Sequence, residues 1–134
     1  MIELLTTPAL CLALNIYHEA RGEPIYGQLA VAEVTMNRVD SPKFPNDICA
    51  VIQQSNANGC QFSWWCDGKS DRPTDKEAWR QSQIVANAYL AHGNYIDLVG
   101  DATFYHADYV KPYWADKFSK VKKVGRHVFY RSQT

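Results

Sequence analysis

At 134 residues, with 46% hydrophobic, 13% aromatic and 21% charged side chains, the chain has the length of one ordinary domain. It carries enough apolar surface to bury a core, which excludes a disordered polypeptide. Fourteen Lys/Arg balance fourteen Asp/Glu, so no overall positive field draws the chain to nucleic acid or to anionic lipid. No apolar run approaches the ~20 residues of a membrane-spanning helix. Met1-Ile2-Glu3, followed by Thr6, Thr7 and Pro8, does not read as a signal peptide, so for a substrate outside the cytoplasm the expectation is either another route of export or a sequence that is the mature form.

Thr7-Pro8 reads as an N-cap with proline at the first helical position. The apolar run to Tyr17 extends that helix, with Leu10, Leu14 and Tyr17 on one face and Leu12 and Ile16 on another. A helix apolar on most sides belongs at the centre of a domain. Gly22 and Pro24 stop it at about Arg21, which leaves Glu19 in its last turn. A second helix is expected from Tyr26 to Val39, carrying Leu29, Ala30, Val31, Ala32 and Val34. Pro42 and Pro45 exclude regular structure in the next loop, and Asp47 caps a short helix through Ile52.

From Ser55 to Pro73 the chain is rich in Gly, Asn, Asp and Ser yet holds Phe62, Trp64 and Trp65; aromatic groups on a loop held by a rigid scaffold are candidates for binding. Thr74 and Glu77 form a capping box for a long helix to His92, stopped by Gly93. Ala78, Ser82, Val85 and Tyr89 make its buried stripe, and Lys76, Arg80, Gln83 and Asn87 its wet one. Ala102 to His106 and His127 to Arg131 are β-prone and pair as a small sheet. The fold class expected is α+β, mainly α. Lys117, Lys120, Lys122, Lys123 and Arg126 read as a solvated face, with weak attraction to an anionic polymer as the alternative.

Cys11, Cys49, Cys60 and Cys66 permit three pairings, and their spacing does not choose among them. A Cys60–Cys66 bridge would stiffen the aromatic segment they flank. Cys11, in an apolar run, is expected to be a buried, inert thiol. The two-residue ligand spacing of structural zinc sites is missing.

Glu19 is the best candidate for chemistry. A carboxyl in the last turn of an apolar helix meets the negative end of the helix dipole, and burial beside Tyr17 acts in the same direction. Both raise its pKa toward that of a general acid working near neutral pH. The competing reading is an exposed glutamate paired with Arg21 or Arg38. Glu23, outside the helix, reads as a solvated loop carboxylate.

The string Ile16-Tyr17-His18-Glu19-Ala20-Arg21-Gly22-Glu23-Pro24 resembles the opening motif of the cell-wall hydrolase family typified by the spore-cortex-lytic enzymes. The likeness continues in order through Gly27–Ala32, Asn37-Arg38-Val39, Ser41–Pro45, Gln61–Trp64, Ala102–His106 and Val124–Tyr130. The resemblance implies a lysozyme-like catalytic domain acting on the bond between N-acetylmuramic acid and N-acetylglucosamine, usually as a lytic transglycosylase. It puts the catalytic glutamate at the end of the first core helix, where Glu19 falls. Family members often carry a small residue where this chain has His18, and an asparagine where it has His106; a histidine beside the acid bears on its pH optimum. The bare domain resembles a phage lysin or a housekeeping wall-lytic enzyme, acting at the wall in the periplasm or outside the cell.

Gln61, Phe62, Ser63 and Trp64 then either line the sugar cleft or form an aromatic cluster under a loop. Tyr105 and His106 are candidates for the same cleft, and Gln28 for contact with Glu19 or substrate. Trp114 reads as core. Asn37 and Arg38 are expected to bond the first helix or the loop after Gly22. The partner expected is bacterial peptidoglycan, with no nucleic acid, no membrane insertion, no metal, no cofactor and a monomeric state. Two alternatives stay open: a hydrolytic muramidase with Glu23 or Asp67 as second carboxylate, and a wall-binding domain without turnover.

Overall fold

The computed structural model describes residues 7–132, apart from residue 58 and the side chain of residue 94. Within these residues lie the helices α1 (Pro8–Ala20), α2 (Ile25–Val39), α3 (Ile48–Ile52), α4 (Ser63–Cys66) and α5 (Lys76–His92). Strands β1 (Ser55–Asn56) and β2 (Gly59–Cys60) form a small ribbon, while β3 (Phe104–Ala107), β4 (Ser119–Val124) and β5 (His127–Arg131) form an antiparallel sheet in the order β3-β5-β4. No helix among the described residues is long and apolar enough to cross a membrane.

α1 starts where its cap requires. Thr7 Oγ1 accepts the Leu10 N–H at 3.2 Å, and Pro8 occupies the first turn. It ends at Ala20 because Arg21 is extended and Gly22, at φ +92°, takes a backbone conformation open to glycine. Cys11, Leu12, Leu14, Ile16 and Tyr17 are all buried, so α1 is the axis around which α2, α3 and α5 pack.

Two expectations about this helical layer are corrected. The N-cap of α5 is Asp75, whose Oδ1 accepts the Ala78 N–H at 3.1 Å. Thr74 is drawn off because its N–H and that of Asp75 both donate to the Tyr17 hydroxyl, at 3.2 and 3.0 Å. Cys11 is no free thiol: it is bridged to Cys49, with Cα atoms 5.3 Å apart. The Asp47 cap, accepting the Ala50 N–H at 2.9 Å, starts α3 so that Cys49 falls in its first turn, facing α1. The second bridge joins Cys60 to Cys66 across 5.8 Å between Cα atoms, and the aromatic segment inside it turns into α4.

The expected pairing of the two β-prone segments is present as β3 against β5, with Tyr105 opposite Phe129. The third strand was not expected. β4 carries three exposed lysines, Lys120, Lys122 and Lys123, along the outer edge of the sheet, with a bulge at Val121. Phe129 of β5 packs with Val31, Val34 and Ala102, whereas Val128 and Tyr130 pack with Ala115, Phe104, Trp114 and Phe118 on the other side. Trp114, expected in the core, is only partly buried in this outer cluster.

The end of α2 ties the two layers together. Asn37 Nδ2 donates to the carbonyls of Gly100 and Ala102 at 2.8 and 2.9 Å, and Arg38 Nε to that of Thr103 at 2.7 Å. These are the residues leading into β3, not α1 or the loop after Gly22, so α2 sets where Tyr105 enters the site.

Candidate active site

Glu19 is the penultimate residue of α1, where the helix meets the inward face of β3. Tyr105 projects from that face and its hydroxyl donates to Glu19 Oε1 at 2.6 Å. Burial raises the pKa of Glu19, while the hydrogen bond from Tyr105 and the charge of Arg38 partly oppose the shift. Removal from water is therefore the cause that dominates. Burial, reinforced by the Glu19 charge, also raises the Tyr105 phenol well above its ordinary value. At neutral pH Tyr105 is a neutral donor, suited to receive a carboxylate that has just lost its proton.

Arg38 supplies the positive charge behind this pair. Its guanidinium carbon lies 4.8, 5.3 and 5.1 Å from the ring centres of Phe44, Phe62 and Phe104, a cation enclosed by aromatic faces. Burial pulls its pKa down to about 10, against the opposing influence of Tyr105 and Glu19; it stays charged at neutral pH. Arg21, the other proposed partner of Glu19, instead lies over the Tyr17 ring and donates to the Tyr17 carbonyl at 3.3 Å.

One turn earlier on α1, Trp64 Nε1 donates to Asn15 Oδ1 at 2.9 Å. His18 stacks on Trp64 with ring centres 4.5 Å apart and meets the Asp71 carbonyl through Nε2 at 3.0 Å. The aromatic segment thus braces the end of α1 from beneath, and the buried Trp64 is structural.

The remaining candidates separate. Gln61 and Ser63 are exposed, and Gln61 opens with Asn56, Phe104, Tyr113 and Trp114 into a shallow groove of about 400 Å³. Phe62, a candidate for the cleft, is 4% exposed because it closes one wall around Arg38. Gln28, expected to touch Glu19 or substrate, is 1% exposed. Its Nε2 donates to the Glu23 carbonyl at 3.0 Å and lies 3.4 Å from Gln81 Oε1. His106 points to the opposite face of β3 from Tyr105, as strand alternation requires. Its Nδ1 lies 2.7 Å from the Ala107 carbonyl and its Nε2 2.9 Å from the Tyr130 hydroxyl, so both ring nitrogens are occupied away from Glu19.

Neither proposed second carboxylate stands free beside Glu19. Asp67 is exposed, its Oδ1 capping the Lys69 N–H at 2.9 Å. Glu23, read as a solvated loop residue, is docked against the sheet: its Oε1 accepts the Arg126 N–H at 2.8 Å and lies 3.5 Å from His127 Nδ1. Asn15, Arg38, Glu23 and His127 are the site neighbours that sequence reasoning underrated. For Asn15 and Arg38 a signal existed, since a polar group on an otherwise apolar helix needs a buried partner.

A central helix packed by further helices and set against a small sheet is a lysozyme-like fold, and solved structures share that fold. The catalytic domain of the germination-specific lytic transglycosylase SleB from Bacillus anthracis superposes with a TM-score of 0.72 at 29% identity, covering 92% of this chain and 93% of that one. That of the Bacillus cereus SleB protein gives 0.68 at 30%, covering 92% and 89%. The cell wall hydrolase family matches residues 22–130, and the chain belongs to that family. The match begins just beyond the end of α1. Over 119 residues, 88% of this chain, it is 36% identical to the spore cortex-lytic enzyme of Halalkalibacterium halodurans and 34% identical to that of Bacillus subtilis. It spans 33% and 35% of the length of those two proteins.

Proposed function

We propose that this chain is a single catalytic domain that cuts the glycan strands of bacterial peptidoglycan between N-acetylmuramic acid and N-acetylglucosamine, as a lytic transglycosylase with Glu19 as its acid and base. The observation that carries this reading is the pairing of Glu19 with Tyr105, together with the absence of a free second carboxylate in either of the two places considered. Retaining and inverting hydrolases both need such a partner at a fixed separation.

One residue suffices if the reaction uses no water. Glu19, whose burial favours the protonated form, gives its proton to the glycosidic oxygen as the bond to C1 of the muramic acid breaks. The resulting carboxylate, held by the Tyr105 hydroxyl, then accepts the proton of the muramic acid 6-hydroxyl as that oxygen bonds to C1. The products are a free N-acetylglucosamine end and a 1,6-anhydro-muramic acid end, and Glu19 finishes protonated as it began. The likeness to a lytic transglycosylase catalytic domain over nearly the whole chain supports the same outcome.

For the glycan path, the exposed Gln61 and Ser63 and the groove with Tyr113 and Trp114 offer amides for acetamido and hydroxyl groups and aromatic faces for pyranose rings. The enzyme acts as a monomer at the wall, outside the cytoplasm, as a phage lysin or a bacterial wall-lytic enzyme, without nucleic acid or membrane insertion. Mass spectrometry of digested purified walls tests the reading. Anhydro ends, lighter by one water than reducing ends, are the expected early product. Reducing muramic acid would make the enzyme a hydrolase, and no release of glycan would leave a wall-binding domain.

A further inference from the structure

Glu23 is held more tightly than a loop carboxylate needs to be. Its N–H donates to the Ala20 carbonyl at 2.9 Å and its own carbonyl accepts from Gln28 Nε2. Its side chain, 11% exposed, lies between two glycines. A Cβ added at Gly125 would come within 2.5 Å of Glu23 Oε1, and one at Gly27 within 3.2 Å of Glu23 Cβ. Gly125 also has φ +58°, in the turn from β4 to β5. The carboxylate thus closes on the turn through the Arg126 N–H, and it faces His127 Nδ1 at 3.5 Å, the polar contact that this ring nitrogen makes among the described residues.

The other side of His127 meets Tyr105. Their ring centres are 5.2 Å apart at an interplanar angle of 75°, and Phe129 flanks the same tyrosine at 5.4 Å. His127 and Phe129 stand two residues apart on one face of β5, so together they define where the Tyr105 ring sits. The end of α1 is therefore joined to the sheet twice, through Glu19 to Tyr105 and, four residues later, through Glu23 to the turn and His127.

We propose that Glu23 and His127 form a positioning clamp that fixes the Tyr105 hydroxyl against Glu19, so that Glu23 acts on catalysis through Tyr105 without touching the glycan. The catalytic consequence rests on the function proposed above; the clamp itself does not. The charged and titratable groups around His127 are Glu23 from the loop after α1, Asp108 beyond the end of β3 and His106 within β3. Of these, Glu23 makes the close contact.

The test compares Glu23→Ala with Glu23→Gln, which keeps an oxygen for the Arg126 N–H. On purified walls, Glu23→Ala should lower kcat about tenfold with KM changed less than about twofold, the signature of lost orientation, while Glu23→Gln stays within about threefold of wild type. The second arm needs no turnover: the titration midpoint of Glu19 is followed by carbon NMR with and without Tyr105→Phe. Removing the hydroxyl should raise the midpoint in wild type and in Glu23→Gln, and the rise should be at least halved in Glu23→Ala, a coupling that independent sites do not have. If Glu23→Ala cannot be purified folded, the same comparison with His127→Phe decides. An equal rise in clamped and unclamped backgrounds overturns the proposal, as does a loss in Glu23→Gln as large as that of Glu19→Gln, which would make Glu23 a reacting group. If wild type cuts no wall, the proposed activity fails and the NMR arm still judges the clamp.

Discussion

The two ends of α1 are secured by different means. At the start, Thr7 caps the helix from within its own first turn, and Cys11 is bridged to Cys49 on the neighbouring α3. At the finish, the backbone opens at Arg21 and the helix relies on side chains from distant segments. Tyr105 reaches Glu19 across 86 positions in the chain, His18 meets Asp71 across 53, and Arg126 binds Glu23 across 103. The first end is anchored by local and covalent means and needs only to be stable. The second brings a carboxyl out of water at a defined place, and a local cap cannot do that.

The strongest way to sharpen this contrast is to neutralise the far end. Glu19→Gln should lower wall cleavage by about 10²- to 10⁴-fold, measured by release of soluble glycan, while the fold persists. The melting temperature at neutral pH should hold or rise. A carboxyl whose pKa is raised by folding stabilises the chain fully below its ordinary value of 4.5 and loses that contribution as pH rises through the folded value, so ionised Glu19 is a burden that glutamine does not share. By the same sign, kcat/KM of the wild type should fall as pH rises through the raised pKa of Glu19. Activity that instead increases across that range would break the assignment.

Opening the near end should do the reverse. Replacing Cys11 and Cys49 with serine frees a separation of 38 residues, which costs about 4 kcal/mol in the loop-entropy account. Calorimetry should register the loss, with turnover per folded molecule little changed. The Cys60–Cys66 bridge, with a separation of 6, is worth only about 2 kcal/mol on the same account. Its reduction should speed hydrogen exchange in residues 61–65 more than in α1 or α5. At the bottom of the scale, Lys120→Ala with Lys122→Ala should shift stability by no more than about 0.5 kcal/mol, as for exposed surface side chains; a larger loss would mean that these lysines hold the sheet to something.

What the sequence makes legible follows the same division. The start of α1 at Pro8, the Asp47 cap of α3 and the end of α5 at His92 rest on residues within one turn of each other, and all are found where local chemistry puts them. Thr74 fails as a cap because the competing partner, the Tyr17 hydroxyl, is 57 positions away. Glu23 looks like a solvated carboxylate until Gly27 and Gly125 are brought to either side of it. Phe62 and Gln28 look like cleft residues because their types suit sugars, whereas Arg38 and the Glu23 carbonyl claim them inside. Glu19 is readable by its place on the helix, but its partner Tyr105 is fixed only when Asn37 and Arg38 dock the approach to β3.

β4 has no such signal, because Ser119–Val124 alternates poorly and is rich in lysine; it is a strand by virtue of β5 beside it. As an edge strand of an open sheet it lies where strand-by-strand polymerisation usually starts. A second copy docking there would bring the lysine-rich edges of both copies together, and the bulge at Val121 would spoil the ladder. Lys123 is paired with Asp108 at 3.3 Å, whereas Lys120 and Lys122, which do least to hold the molecule together, are thus the ones that keep its copies apart at high concentration.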